Sequence, residues 1–381
     1  MILSLLLTVV TYFLAKSNST SFIPTYIIFL GIVVQLFSQR MKPILRANSV
    51  HLIVICTFLA YMLMNNLWNT SLAATLKPIG YVLLILSFLI CIPFIFAQYK
   101  GFFILFIRTL LISASISATF SLWAYFELDY RTEDHERLIA FGGLDNPVMS
   151  GLSYGAVCIL GFAHIVHRPL FERALVSIGL LIILTALLLT ETRSALLGLI
   201  FSATTLIIVY KDRLPLQQFY VLTKSLVIIL LAALLAYYAG YLDALLERST
   251  SLRPELWESV YVHLSLSEQI TGMGISTDAS IYYDGQLYQH PHSIYLSTAY
   301  YGGVIGLVAL LAMFGYSLFR MTKLDRSIMI YAIPLFIYGL ICLTVDGNRI
   351  IRKIDFIWLM IWLPISLSMI RSASVESPDG S

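Results

Sequence analysis

Residues 174–210 read ALVSIGLLIILTALLLTETRSALLGLIFSATTLIIVY. A bilayer's hydrocarbon core is about 30 Å thick and is crossed by about 20 apolar helical residues. The stretch is too long to cross once and too apolar to sit in water. Its interruption is the polar run Thr190, Glu191, Thr192, Arg193, which reads as a tight turn joining two spans back to back.

The same pattern extends in both directions. Apolar runs occupy 2–15, 22–38, 50–68, 78–97, 102–125, 147–167, 174–190, 194–210, 221–240, 293–317, 327–345 and 354–370. The expected fold is all-α: one integral membrane domain over 1–381, with about twelve transmembrane helices. No Lys or Arg precedes the first run, so it reads as a span and not as a signal peptide. Composition agrees. The 381 residues are 59% hydrophobic and 12% charged, against about 25% charged in an ordinary soluble domain. That deficit excludes a soluble enzyme, a disordered chain and a nucleic-acid binder of the basic-patch kind. The net charge of +3 suggests no polyanionic partner by itself. Cys56, Cys91, Cys158 and Cys342 lie in apolar runs and read as small buried hydrophobes, with no zinc-type spacing.

Placing the N-terminus in the cytoplasm puts Arg40, Lys42, Arg46, Lys100, Arg168, Arg173, Lys211, Arg213, Arg320, Lys323, Arg326 and Arg371 inside, as the positive-inside rule asks. Sixteen of the 21 acids then lie outside. Two outer loops are long: the acidic 126–146, and 241–292 between the ninth and tenth spans, which is expected to carry short amphipathic helices. Residues 372–381 form a cytoplasmic tail. Against the usual bias, Arg193, Arg248, Arg253, Arg349 and Arg352 gather near the late outer loops. Outer arginines raise the question of what anion they meet.

Three places hold candidate chemistry. In RPELW, Pro254 suits the first position of a helix, with Arg253 at its entry. A guanidinium beside free helix N–H groups makes an anion site. Arg253, Trp257 and Tyr261 are spaced by four and share a face suited to a phosphate followed by a sugar. The alternative is a surface helix with its arginine at the headgroups and its Trp at the interface. In QHPHSIYL, His290 and His292 flank Pro291 before the tenth span, with Tyr283, Tyr288, Tyr295, Tyr300 and Tyr301 around them. Histidine takes up a proton near neutrality and suits a general base; the alternative is an interfacial pair in a tyrosine belt. A His–X–His metal site lacks further ligands, Asp284 being the nearby carboxylate. In the opening stretch, an arginine at membrane level is a functional candidate by default; an ion pair of Glu191 with Arg193 is the structural alternative. Arg108 lies near the cytoplasmic end of its run and can snorkel.

Together the motifs resemble a known family. Their order is TETRSALLGL, RPELW, GMG, HSIYL and YYGGVIGL, with GLDNPVMSG at 143–151 as a weaker element. This is similar to the O-antigen ligase and O-antigen polymerase superfamily of bacterial inner membranes, in which the long loop is periplasmic. The resemblance implies a metal-independent, cofactor-free glycan transferase whose donor is an undecaprenyl-diphosphate-linked glycan. It implies that Arg193 and Arg253 bind the diphosphate and that His292 activates the acceptor hydroxyl. Arg248, Trp257, Tyr261, Tyr283, Tyr288 and His290 are expected to bind substrate. The implied partners are the donor, a lipid A-core or glycan acceptor, and membrane lipids, with no nucleic acid. A ligase is the first reading and a polymerase joining repeat units on the same carrier the second. A transporter or flippase is the third; it would place charges at mid-bilayer on broken helices, for instance around Arg108.

Overall fold

A computed structural model describes residues 1–15, 23–36, 38–99, 101–128, 137–144, 146–166, 168–210, 257–258, 260, 264–279, 281–283, 286–288 and 291–370. The chain is a helical, multi-pass membrane protein. Its helices are α1 (Ile2–Leu14), α2 (Ile23–Leu36), α3 (Met41–Ala47), α4 (Ser49–Asn69), α5 (Leu72–Gln98), α6 (Phe102–Glu127), α7 (Pro147–Ile165), α8 (Leu170–Leu189) and α9 (Arg193–Tyr210). After these come α10 (Leu266–Thr271), a small hairpin of β1 (Ile281–Tyr283) and β2 (Gln286–Tyr288), then α11 (Ile294–Met321) and α12 (Arg326–Val345). A π-helical turn, Trp358–Trp362, runs into α13 (Leu363–Leu367).

Among the described residues, seven helices are long and apolar enough to cross a membrane: α4 to α8, α11 and α12. Shorter apolar helices stand where the first, second, eighth and twelfth spans are expected. With 13 residues, α1 reaches only about 20 Å. The expected ninth span, 221–240, lies outside the described residues. The expected last span, 354–370, is regular only from Phe356, because residues 351–355 follow a series of bends. Helix α3 falls between the expected second and third spans, 22–38 and 50–68. The buried-cysteine expectation holds for Cys91, Cys158 and Cys342; Cys56 is exposed on the flank of α4.

Packing follows from the small residues. Lipid tails are as apolar as leucine, so close van der Waals fit has to hold membrane helices together. α7 is buried along almost its whole length. A Cβ on Gly155 would fall 2.1 Å from the Tyr338 hydroxyl, and one on Gly198 would fall 2.4 Å from Cys342 Sγ. These two glycines let α7 and α9 close on α12, and Tyr338 then donates to the Leu152 carbonyl at 3.0 Å.

The alternating chain direction gives the bundle two ends. One holds the C-termini of α1, α4, α6, α8 and α12 and the N-termini of α5, α7, α9 and α11. It is called the site end below, and the opposite one the basic end. At the site end, residues 137–144 form a strap across the bundle. Its backbone is satisfied by hydroxyls: Phe141 N donates to Ser121 Oγ at 2.7 Å, Ala140 N to Ser150 Oγ at 3.0 Å, and Ser117 Oγ to the Phe141 carbonyl at 3.0 Å. The serines of the apolar α6 thus meet the need for every backbone group in a membrane to find a partner.

Candidate functional site

The turn between α8 and α9 is built as the opening stretch suggests, with added strain. Glu191 takes φ +51°, uncommon for a residue with a side chain. Arg137 on the strap donates to the Thr190 carbonyl at 2.8 Å. Thr192 donates to the Pro147 carbonyl at 3.1 Å. Pro147 opens α7 behind Asn146, whose side chain accepts from Val148 N at 2.8 Å, a standard cap. GLDNPVMSG is therefore a structural partner of TETR: a Cβ on Gly151 would lie 2.6 Å from Thr190 and Thr192. The turn leaves Arg193 exposed as the first residue of α9.

From Arg193 a chain of contacts leads to the histidine. Ser194 donates to the carboxylate of the buried Asp346, at the end of α12. Cys342 Sγ donates to the Ser194 carbonyl at 3.2 Å. Gly347 follows with φ +109°, and a Cβ there would lie 3.6 Å from Ile294 N. Ile294 opens α11 behind Ser293, the residue after His292. His292 is half-buried and takes φ +56°. Just before it, the Pro291 carbonyl accepts the indole N–H of Trp257 at 2.9 Å. The Trp of RPELW is thus seated one residue from the histidine of HSIYL.

A second device holds the loop in place. α11 is broken at Gly303, which has φ +64° and ψ −170°, a region essentially restricted to glycine. The break frees backbone carbonyls, and the GMG turn answers them: Met273 N donates to the Tyr300 carbonyl at 3.0 Å and Gly274 N to that of Tyr301 at 2.9 Å. Gly272 and Gly274 both have φ +85°. The end of α4 completes the set. Asn65 donates to the Tyr301 carbonyl at 2.6 Å, and Tyr61 to that of Gly302 at 2.8 Å. Asn69 reaches the Gly272 carbonyl at 3.2 Å, and Asn66 accepts from Ser276 N at 2.7 Å. Arg349 stacks on the Tyr301 ring at 4.8 Å and donates to the Thr277 carbonyl at 2.7 Å. Arg352 pairs with the buried Asp355 at 2.6 Å.

Of the expected site residues, the structure places Arg193, Trp257 and His292 at this end. Tyr283 and Tyr288 lie on the two strands of the hairpin, where Tyr288 is opposite Ile281 and Tyr283 opposite Gln286. Arg248, Arg253, Tyr261 and His290 lie outside the described residues. The sequence reading missed Arg137 and the Tyr61, Asn65, Asn66, Asn69 set. Tyr61, Asn65 and Asn69 are four apart, a polar stripe on one face of a membrane helix, and that was the available signal. Arg108 sits on an unbroken α6 and forms two bonds to Glu172, at 2.8 and 2.9 Å. It therefore lacks the interrupted helix that a transporter reading asked for.

Comparison with known proteins falls on the same region. A family model described as O-antigen ligase matches residues 178–311, from within α8 to within α11. A Pseudomonas aeruginosa protein described as O-antigen ligase is 27% identical over 323 residues, covering 83% of this chain and 76% of that protein. The TETR turn, the RPELW loop, the GMG turn and the HSIYL helix start all fall inside the matched segment, and with it the resemblance to the O-antigen ligase and polymerase superfamily is shown.

Proposed function

We propose that this protein is an O-antigen ligase-type glycosyltransferase of the bacterial inner membrane. It moves an assembled glycan from undecaprenyl diphosphate to a lipid A-core sugar. The observation that carries this reading is the seating of Trp257 beside His292, inside the segment that matches the ligase family. The site end faces the periplasm, and the lysines and arginines of the basic end face the cytoplasm.

The acceptor hydroxyl attacks the anomeric carbon. The bond from that carbon to the diphosphate oxygen breaks, and its electron pair leaves with undecaprenyl diphosphate. Neutral His292 takes the hydroxyl proton. Arg193 and Arg253 hold the leaving diphosphate, because a guanidinium pairs phosphate oxygens in a fork and stabilises charge as it develops. Attack from the face opposite the leaving group inverts the anomeric centre. Arg248, His290, Trp257, Tyr261, Tyr283 and Tyr288 line the path of the sugars. The reaction in this form calls for no metal and no cofactor, and the polyprenyl tail stays among the helices.

His292→Asn tests the reading. Asparagine tolerates the left-handed backbone that residue 292 adopts, so the local fold is kept while the base is lost. Purified wild-type protein is expected to transfer glycan in the presence of a chelator, and the variant to be slower by about a hundredfold or more. Wild-type rates in the variant would refute the base role. Inhibition by the chelator, reversed by one divalent ion, would refute the metal-free form.

A further inference from the structure

The basic end holds a cavity that the transfer reaction does not use. Gln39, Lys42, Pro43, Arg46, Ala47 and Arg320 line a space of about 790 Å³. Three of the six are cations, and no carboxylate is among the described lining residues. A water's share of liquid volume is about 30 Å³, so the cavity holds far more than a lone phosphate ion.

Basic residues on the cytoplasmic side of a membrane protein are ordinary, but these are arranged. Lys42 and Arg46 are spaced by four, so they share a face of α3. Like charges in that relation repel unless something lies between them. Arg320 arrives from the last turn of α11. One of its terminal nitrogens donates to Asn48 Oδ1 at 2.9 Å. Asn48 is itself buried and fixed, its amide donating to the carbonyls of Ile44 at 3.0 Å and Met369 at 2.9 Å. Arg320 Nε is buried with no hydrogen-bond partner. A positioned guanidinium lining the same space as two further cations suits oxygen acceptors that carry negative charge. Met41 is buried and Ile44 and Leu45 are half-buried against the protein, while Lys42, Pro43 and Arg46 are exposed, so α3 turns its apolar side to the bundle and its cations outward.

We propose that this cavity binds a phosphate-bearing anion, the headgroup of an anionic phospholipid in the leaflet at the basic end. Pockets of this kind between membrane helices recognise lipid phosphates. The ion pair of Arg108 with Glu172 borders a second groove at the same end, where the charge is already matched.

The test uses the full chain in nanodiscs of mixed phosphatidylglycerol and phosphatidylcholine, released and weighed by native mass spectrometry. Wild-type protein is expected to retain phosphatidylglycerol in preference to phosphatidylcholine. The double variant K42Q/R46Q, altered only at exposed positions, is expected to lose that preference by at least about tenfold. Arg173→Gln, at the same end on α8, is expected to keep it. A separate arm adds inorganic phosphate to delipidated protein in detergent. If phosphate alone raises the melting temperature of wild-type protein but not of K42Q/R46Q, the anion site stands with a free phosphate as its source. Equal retention of both lipids with no phosphate effect, or retention unchanged in K42Q/R46Q, would overturn the proposal.

Discussion

The two ends of the bundle solve the same problem, turning a chain back into the membrane, in different ways. Among the described residues, all seven with positive φ lie at the site end: Gly142, Glu191, Gly272, Gly274, His292, Gly303 and Gly347. Among the described residues, the turns of the basic end, at 38–40, 99, 101 and 322–325, have none. The charges divide less cleanly, since arginines are held at both ends. At the site end, arginines are placed by backbone carbonyls, an aromatic ring or a buried acid: Arg137 by Thr190, Arg349 by Thr277 and Tyr301, Arg352 by Asp355. At the basic end Arg108 is held by Glu172 and Arg320 by Asn48, while Lys42 and Arg46 stand exposed around an open cavity. Glycine takes such angles at no steric cost, but at Glu191 and His292 they cost free energy and persist where surrounding contacts over-determine them, as is common at sites that hold chemistry. The two ends therefore differ in backbone conformation more than in how their arginines are held.

The largest effect is expected on transfer. Arg193→Ala should lower the rate about a hundredfold or more, as loss of a charge-stabilising donor does. Arg193→Lys should recover only part of it, since a point charge lacks the fork. Rates of glycan transfer by purified protein check both, and a Lys variant equal to wild type would remove Arg193 from the diphosphate. Next comes the break in α11. A Cβ at residue 303 would fall 2.1 Å from the Ile270 carbonyl, at a backbone angle that only glycine adopts. Gly303→Ala should cost at least about 2 kcal/mol of stability in detergent. On the same helix toward the basic end, a Cβ on Gly315 would meet nothing within 4 Å. Gly315→Ala should instead gain about 0.5 kcal/mol. If the two glycines behave alike in thermal unfolding, the contrast between the ends is broken. Asn65→Ala removes one of the two donors to the Tyr301 carbonyl and should cost about 1 kcal/mol.

The helices were legible because a span is written in twenty apolar residues, and α4 to α9, α11 and α12 fall on their runs. Short elements carry no such signature. The hairpin Ile281–Tyr288 and α3 were missed for that reason. YYGGVIGL reads as a glycine-rich helix start, but α11 opens earlier, at Ile294, and these residues lie inside it and hold its break at Gly303. The break at Gly303 is not visible locally, because it depends on GMG arriving from 30 residues earlier and on Asn65 from more than 200 earlier. TETR and HSIYL were legible because charge or histidine beside a span is expensive and conspicuous. The left-handed angles of Glu191 and His292 were not, since neither residue type demands them.

The central claim is glycan transfer to a lipid A-core acceptor, and the lipopolysaccharide profile of a strain lacking this chain tests it most directly. The account predicts core lipopolysaccharide without polymer, with polymer still attached to undecaprenyl diphosphate, and rescue by the wild-type gene but not by His292→Asn. Core carrying a single repeat unit would contradict it and assign the chain to polymerisation; an unchanged profile would contradict it outright.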